Sequence, residues 1–118
     1  MSRFTIVAPH EMETAGNWML VRRTLGVETF GINMVDIGPG ERIPEHDETQ
    51  RDQEEVFLAI GGDATLVIDG EEHPLPEGSF ARLDVDARRT VANNGSEPIR
   101  VLICSAPRTS GYEPMEWA

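Results

Sequence analysis

The chain has 118 residues, 39% of them hydrophobic, which is enough for one domain with a real core and excludes a disordered chain. It carries 21 acidic residues against ten arginines and no lysine, a net charge of −11 that repels phosphate backbones and argues against nucleic-acid binding. One cysteine, Cys104, excludes an internal disulfide and a multi-cysteine metal site; no apolar run approaches the roughly 18 residues of a membrane span, and charge comes too early for a secretory signal, so the expected compartment is the cytoplasm.

In chain order, residues 10–17 are the one segment that reads as a helical turn, and residues 18–24 (WMLVRRT) read as the first strand. Residues 30–37 alternate, with Phe30, Ile32 and Met34 on one face and Asn33 and Val35 on the other, until Gly38-Pro39-Gly40 breaks the run. A polar loop follows, with one histidine and several carboxylates. Glu55 then opens a continuous apolar run over 56–60 that stops at Gly61-Gly62. Ala64–Ile68 and Glu71–Leu75 flank Asp69-Gly70, a strong hairpin signal. Phe80–Leu83 and residues 90–92 and 99–104 complete the set, with Asn94-Gly95 between the last two as another hairpin signal. Short strands at regular spacing predict an antiparallel sandwich or barrel of about nine or ten strands rather than βαβ units. The aromatic tail, with Tyr112 and Trp117, is expected to dock on the barrel or on a second subunit.

Two stretches resemble the motifs of the cupin superfamily, small double-stranded β-helix or jelly-roll barrels. The first motif runs G-x5-H-x-H-x3,4-E-x6-G; Gly40-x5-His46 and Glu55-x6-Gly62 match its two halves. The second runs G-x5-P-x-G-x2-H-x3-N; Gly78 and Asn93 stand at its ends, with Asp84, Asp86 and Arg89 where Pro, Gly and His are usual. The resemblance covers about residues 30–105. It implies an all-β jelly-roll cupin barrel as a single domain over 1–118, with the core barrel at about 18–105 and a tail at 106–118. It also implies a homodimer, since small cupins commonly pair and the chain offers apolar edges to cover.

Cupin enzymes commonly hold Fe, Mn, Ni, Zn or Cu with three histidines and one glutamate. Here His46 stands in the first histidine position, Glu48 in the second by direct spacing, and Arg89 in the third. Counting back from Glu55 instead puts Glu48 and Gln50 in the two histidine positions. An arginine stays protonated and ligates no metal. His46 reads either as a metal ligand or as a loop residue among acidic neighbours. Glu55 reads as pocket-facing or as a strand-edge carboxylate, with Glu54 on the opposite face. Arg89, placed inside the barrel, needs a carboxylate partner, and Glu55 and Glu48 are the candidates. Its functional reading is an anion receptor, with Gln50 and Glu55 as further ligand-binding residues. Three readings follow. One is a metal-poor or metal-free barrel that binds a small, anionic molecule. The second is an enzyme of isomerase, cyclase, lyase or dioxygenase type, using one divalent metal (Fe, Mn, Ni or Zn) on His46, Glu48 and Glu55. The third is acid–base catalysis without metal, with His46 or Glu55 as the base. His10 and His73 read as exposed, and Cys104 as a small core residue.

Overall fold

Period-two alternation sets the architecture. A computed structural model describes residues 3–118. Among these residues nine strands are formed: β1 Thr14–Ala15, β2 Trp18–Met19, β3 Gly31–Ile37, β4 Gln53–Gly61, β5 Ala64–Ile68, β6 Glu71–Leu75, β7 Phe80–Leu83, β8 Arg89–Ala92 and β9 Ile99–Pro107. They build two antiparallel sheets, one of six strands in the order β1-β2-β3-β9-β4-β7 and one of three in the order β6-β5-β8. The segment before β4 adds to the small sheet through bridges from Arg42 to Ala92 and from His46 to Arg89. The result is the all-β jelly roll that the sequence implied.

The inner face of the large sheet is read directly from its register. Val35 lies opposite Val101, Asn33 opposite Ile103, Phe57 opposite Ile103 and Glu55 opposite Ser105. Val35, Phe57, Ala59, Val91 and Val101 are at most 2% exposed and form the centre of the core. The other face of the same strands is apolar at its centre: Ile32, Cys104 and Val56 form one row, ended by Arg82, and Met34, Leu102, Leu58 and Phe80 the next, with the Asp36–Arg100 pair beyond it. This explains why 56–60 is a continuous apolar run rather than an alternating one. Phe80 is 71% exposed on that outer face.

Asp69 and Gly70 both take positive φ, 50° and 81°, as a two-residue hairpin between β5 and β6 demands. The second hairpin signal behaves differently. β8 pairs with β5, whereas β9 pairs with β3 and β4, so Asn94-Gly95 lies on a connection between sheets. Asn93 holds that connection: its buried amide donates to the carbonyls of Ile37 and Glu97, and its Oδ1 accepts from the Gly95 N–H.

Two local expectations are corrected. Residues 10–17 form no helix; Pro9–Glu11 is a single 3-10 turn, and the tight turn at Gly16 (φ 58°) joins β1 to β2. Residues 18–24 are not one strand. Only Trp18–Met19 pair, and Val21–Leu25 form a short helix, α1. Thr24 donates its hydroxyl to the Leu20 carbonyl, and Gly26 caps the end at φ 77°, so local hydrogen bonds replace a ladder. The tail does not dock on its own barrel: Tyr112 and Trp117 are 76% and 83% exposed. Among the described residues no helix is long and apolar enough to cross a membrane.

Candidate functional site

His46 and Arg89 form the first half of the site. Each donates its backbone N–H to the other's carbonyl, at 3.0 and 2.8 Å, so this is a directly opposed antiparallel pair with both side chains on one face. That face points across the barrel at Glu55 of β4. Glu48 joins them from the loop between, fixed by its N–H to the Val85 carbonyl.

The side chains converge. His46 Nε2 lies 3.4 Å from Glu48 Oε1 and 3.7 Å from Glu55 Oε1, and one donor atom from each of the three residues falls within 4.8 Å of the others. Glu48 and Glu55 are buried. His46 Nδ1 sits 3.0 Å from the Pro44 carbonyl, which can only accept, so Nδ1 carries the hydrogen there. In the neutral ring, Nε2 therefore presents its lone pair to the two carboxylates.

Arg89 backs the cluster. It is wholly buried, with Nη1 3.6 Å from Glu55 Oε1 and Nη2 donating to the Asp84 carbonyl at 2.6 Å. Its Nε and Nη1 have no hydrogen-bond partner, nor does Glu55 Oε1. Burial pushes the Glu55 carboxyl above the ordinary carboxylate range and the Glu48 charge adds to it; Arg89 and His46 oppose them without cancelling. Buried polar groups are normally satisfied, so this cluster has the donors of a binding site rather than those of a finished core.

A cavity of about 190 Å³ opens onto the three donors, lined also by Trp18, Asn33, Arg51, Gln53 and Ser105. Sequence reasoning left out these five. Asn33, Ser105 and Gln53 carried a signal, because each shares the inward face with Val35, Ile103 or Glu55; Arg51 carried none. Gln50 is exposed and stands outside the cavity, and Arg89 lies behind Glu55 rather than in the lining. Glu54 faces outward and meets Arg82 at 3.5 Å. His10 and His73 are exposed and away from the cluster, and Cys104 lies half-buried on the outer face. A larger hollow of about 460 Å³ lies elsewhere, against Asp52, Glu54, Asp84, Asp86 and Arg108. Its carboxylates are exposed and several are ion-paired, so the chemistry points to the smaller cavity.

Solved structures share the whole architecture. A cupin protein from Bacteroides fragilis superposes with a TM-score of 0.80 at 18% identity, covering 99% of this chain and 94% of that one. A cupin 2 conserved barrel domain protein from Salinispora arenicola gives 0.68 at 19% identity, over 93% and 92% of the two chains. A cupin-superfamily sugar phosphate isomerase from Silicibacter pomeroyi gives 0.66 at 23% identity, over 77% of this chain and 60% of that one. At these identities the likeness establishes the fold alone. No curated protein matches the chain. A family model described as a cupin domain matches residues 33–105, the span that runs from within β3 to within β9 and carries His46, Glu48 and Glu55, and the chain belongs to that family.

Proposed function

We propose that this chain holds one divalent cation on His46 Nε2, Glu48 and Glu55, and that the cavity beside it binds a small oxyanion-bearing molecule. The observation that carries the reading is the convergence of three electron-pair donors around a buried Glu55 oxygen with no hydrogen-bond partner. One nitrogen and two carboxylate oxygens suit Fe, Mn, Ni or Zn. A bound cation would act as a Lewis acid on a ligand oxygen. Arg89 offsets one of the two carboxylate charges, so a divalent cation would leave the cluster net positive and attractive to an anion. Arg89 then acts by charge from behind Glu55, and Asn33, Gln53 and Ser105 supply polar contacts for orientation. An isomerase, lyase or dioxygenase reaction would use this same cavity.

A metal-free reading would need a proton, on the ring or on a carboxyl, to bridge His46 Nε2 and the two glutamates. The separations of 3.4 and 3.7 Å are longer than charge-assisted hydrogen bonds, which favours the cation. Calorimetric titration of the chelator-treated chain with Mn²⁺ and Zn²⁺ tests this. One site per chain that is lost in His46→Ala and Glu55→Gln is expected; no binding at millimolar metal would refute it.

We also propose a homodimer in which a second copy covers the outer face of the large sheet. The rows Ile32–Cys104–Val56 and Met34–Leu102–Leu58–Phe80 carry no charge, and the Arg82 that ends the first row and the Asp36–Arg100 pair beside the second are ion-paired, so in a chain of net charge −11 two copies approach there with least repulsion. A dimeric mass in light scattering that falls in Phe80→Asp is expected, and a monomeric mass at micromolar concentration would refute it.

A further inference from the structure

The cavity above the cation donors does not end at its own wall. A second chamber of about 380 Å³ shares Gly31, Asn33, Arg51, Gln53 and Ser105 with it and continues toward α1, where Arg22 and Glu28 join the lining. Gly31 lies at the junction, and a Cβ there would run into Ser105 Oγ, so the glycine leaves room for the Ser105 hydroxyl between the two chambers.

The two arginines of the outer chamber stand apart from most others. Among the described residues, Arg23, Arg82, Arg88, Arg89, Arg100 and Arg108 each pair with a carboxylate. Arg22 and Arg51 do not, although the chain holds 21 acidic residues. Arg22 is also pre-set: its Nη1 donates to the Val27 carbonyl at 3.1 Å, which fixes the guanidinium and leaves other N–H groups free. Glu28 is the one carboxylate of this chamber, so two guanidinium groups outnumber it. A chain this acidic repels small anions overall, and an anionic ligand therefore needs a local positive field to enter.

We propose that the outer chamber is an oxyanion subsite, in which Arg22 and Arg51 hold the far carboxylate or phosphate of an elongated ligand whose near end meets the cation donors. For the near end this rests on the cation site proposed above. The preferred ligands are small molecules with oxyanions at both ends, dicarboxylates or phosphorylated acids, and one-ended acids bind less tightly. Guanidinium groups suit both anions because their N–H groups match paired oxygens. The helix that interrupts the expected first strand thus has a role, because α1 carries Arg22 to the rim.

Calorimetry on the Mn²⁺-loaded full chain tests the subsite. The probes are dicarboxylates from malonate to adipate, pentanoate as the one-ended control for glutarate, and 3-phosphoglycerate as the phosphate arm. At least one two-ended acid, or the phosphate ester, is expected to bind about tenfold or more tightly than pentanoate, since charge-assisted contacts are worth that much. Which arm wins tells carboxylate from phosphate. The double variant Arg22→Gln/Arg51→Gln should lose that advantage while its Mn²⁺ affinity stays unchanged. Equal binding of pentanoate and every other probe, or an advantage that survives in the double variant, overturns the proposal. Failure of Mn²⁺ to bind the unaltered chain refutes the cation reading instead. Inorganic phosphate is then titrated into the metal-free chain: affinity lost in the double variant upholds the subsite, and affinity equal or absent in both chains overturns it.

Discussion

This barrel holds two groups of carboxylates beside arginines, one outside and one inside, and they obey different physics. Outside, Asp52 pairs with Arg108, and Glu54 and Asp84 share Arg82, all of them exposed. Water solvates whatever the pairs leave unsatisfied, so these contacts cost little and contribute little. Inside, Glu48, Glu55 and Arg89 are at most 9% exposed, and three of their polar atoms lack a hydrogen-bond partner. Such a cluster is costly to keep, and replacing it with apolar side chains would relieve the cost. The contrast teaches that charge density does not mark the functional place in so acidic a chain; desolvated charge does.

The largest test of this contrast removes one arginine from each group. Arg89→Ala should destabilise by about 3 kcal/mol, the lower end for breaking a buried pair, because His46 remains close to Glu55. Arg82→Ala should leave the denaturation midpoint where it was, since both its partners face water. Urea unfolding of the two variants decides. Equal effects would mean that burial does not separate the groups.

Next in size is the response to a divalent cation. At one hundred times its dissociation constant, Mn²⁺ or Zn²⁺ should raise the unfolding free energy of the unaltered chain by about 2.7 kcal/mol. Glu48→Gln should abolish the gain, and Asp84→Asn/Asp86→Asn should keep it. A gain that survives Glu48→Gln but disappears with the outer pair would move the cation to the hollow.

A smaller effect has a less intuitive sign. Burial and Glu48 hold the Glu55 carboxyl above its ordinary range, so the folded chain keeps this proton at a pH where the unfolded chain has lost it. The contribution of this group to stability is therefore fully present below the ordinary glutamate value and declines as pH rises from there through the raised folded value. In chelator-treated protein, Glu55→Gln, which resembles the protonated form, should flatten that decline. It should leave the chain no less stable at neutral pH while removing cation binding. A loss of stability as large as that of Arg89→Ala would show that Arg89 governs Glu55 more than burial does.

Much of this was legible in the sequence, and the physics explains which parts. Glycine turns such as Asp69-Gly70 are local, so β5, β6 and β7 take the bounds expected of them. Motif spacing reached His46, Glu55 and Arg89 because strand alternation fixes which side each faces. The same reasoning could not place residues gathered by tertiary folding. Arg51 sits in a loop with no periodicity and Gln53 opens β4 just before the apolar run that marks it, and counting back from Glu55 pointed to the exposed Gln50 instead. The helix at Val21–Leu25 was hidden because WMLVRRT fits a strand as well as a helix until Gly26 ends it. Asn94-Gly95 resembles a hairpin locally, yet which strand pairs with which is settled by the sheets and not by the turn.

The smallest expected effect sharpens the comparison from the outer side. Arg108 donates through Nε to Asp52 at 2.8 Å, and its N–H reaches the Asp52 carbonyl at 3.0 Å. By distance alone this is a better contact than Arg89 with Glu55 at 3.6 Å. If geometry ruled, Arg108→Ala would cost more than Arg89→Ala. But the backbone bond survives the substitution, the Asp52 carboxylate is left in water, and salt at about 0.1 M screens exposed charges beyond about 10 Å. Arg108→Ala should therefore leave the unfolding midpoint within experimental error, at low salt and high salt alike. A clear salt-dependent loss would show that the outer hollow is a structural charge network, and desolvation would then no longer separate the two groups.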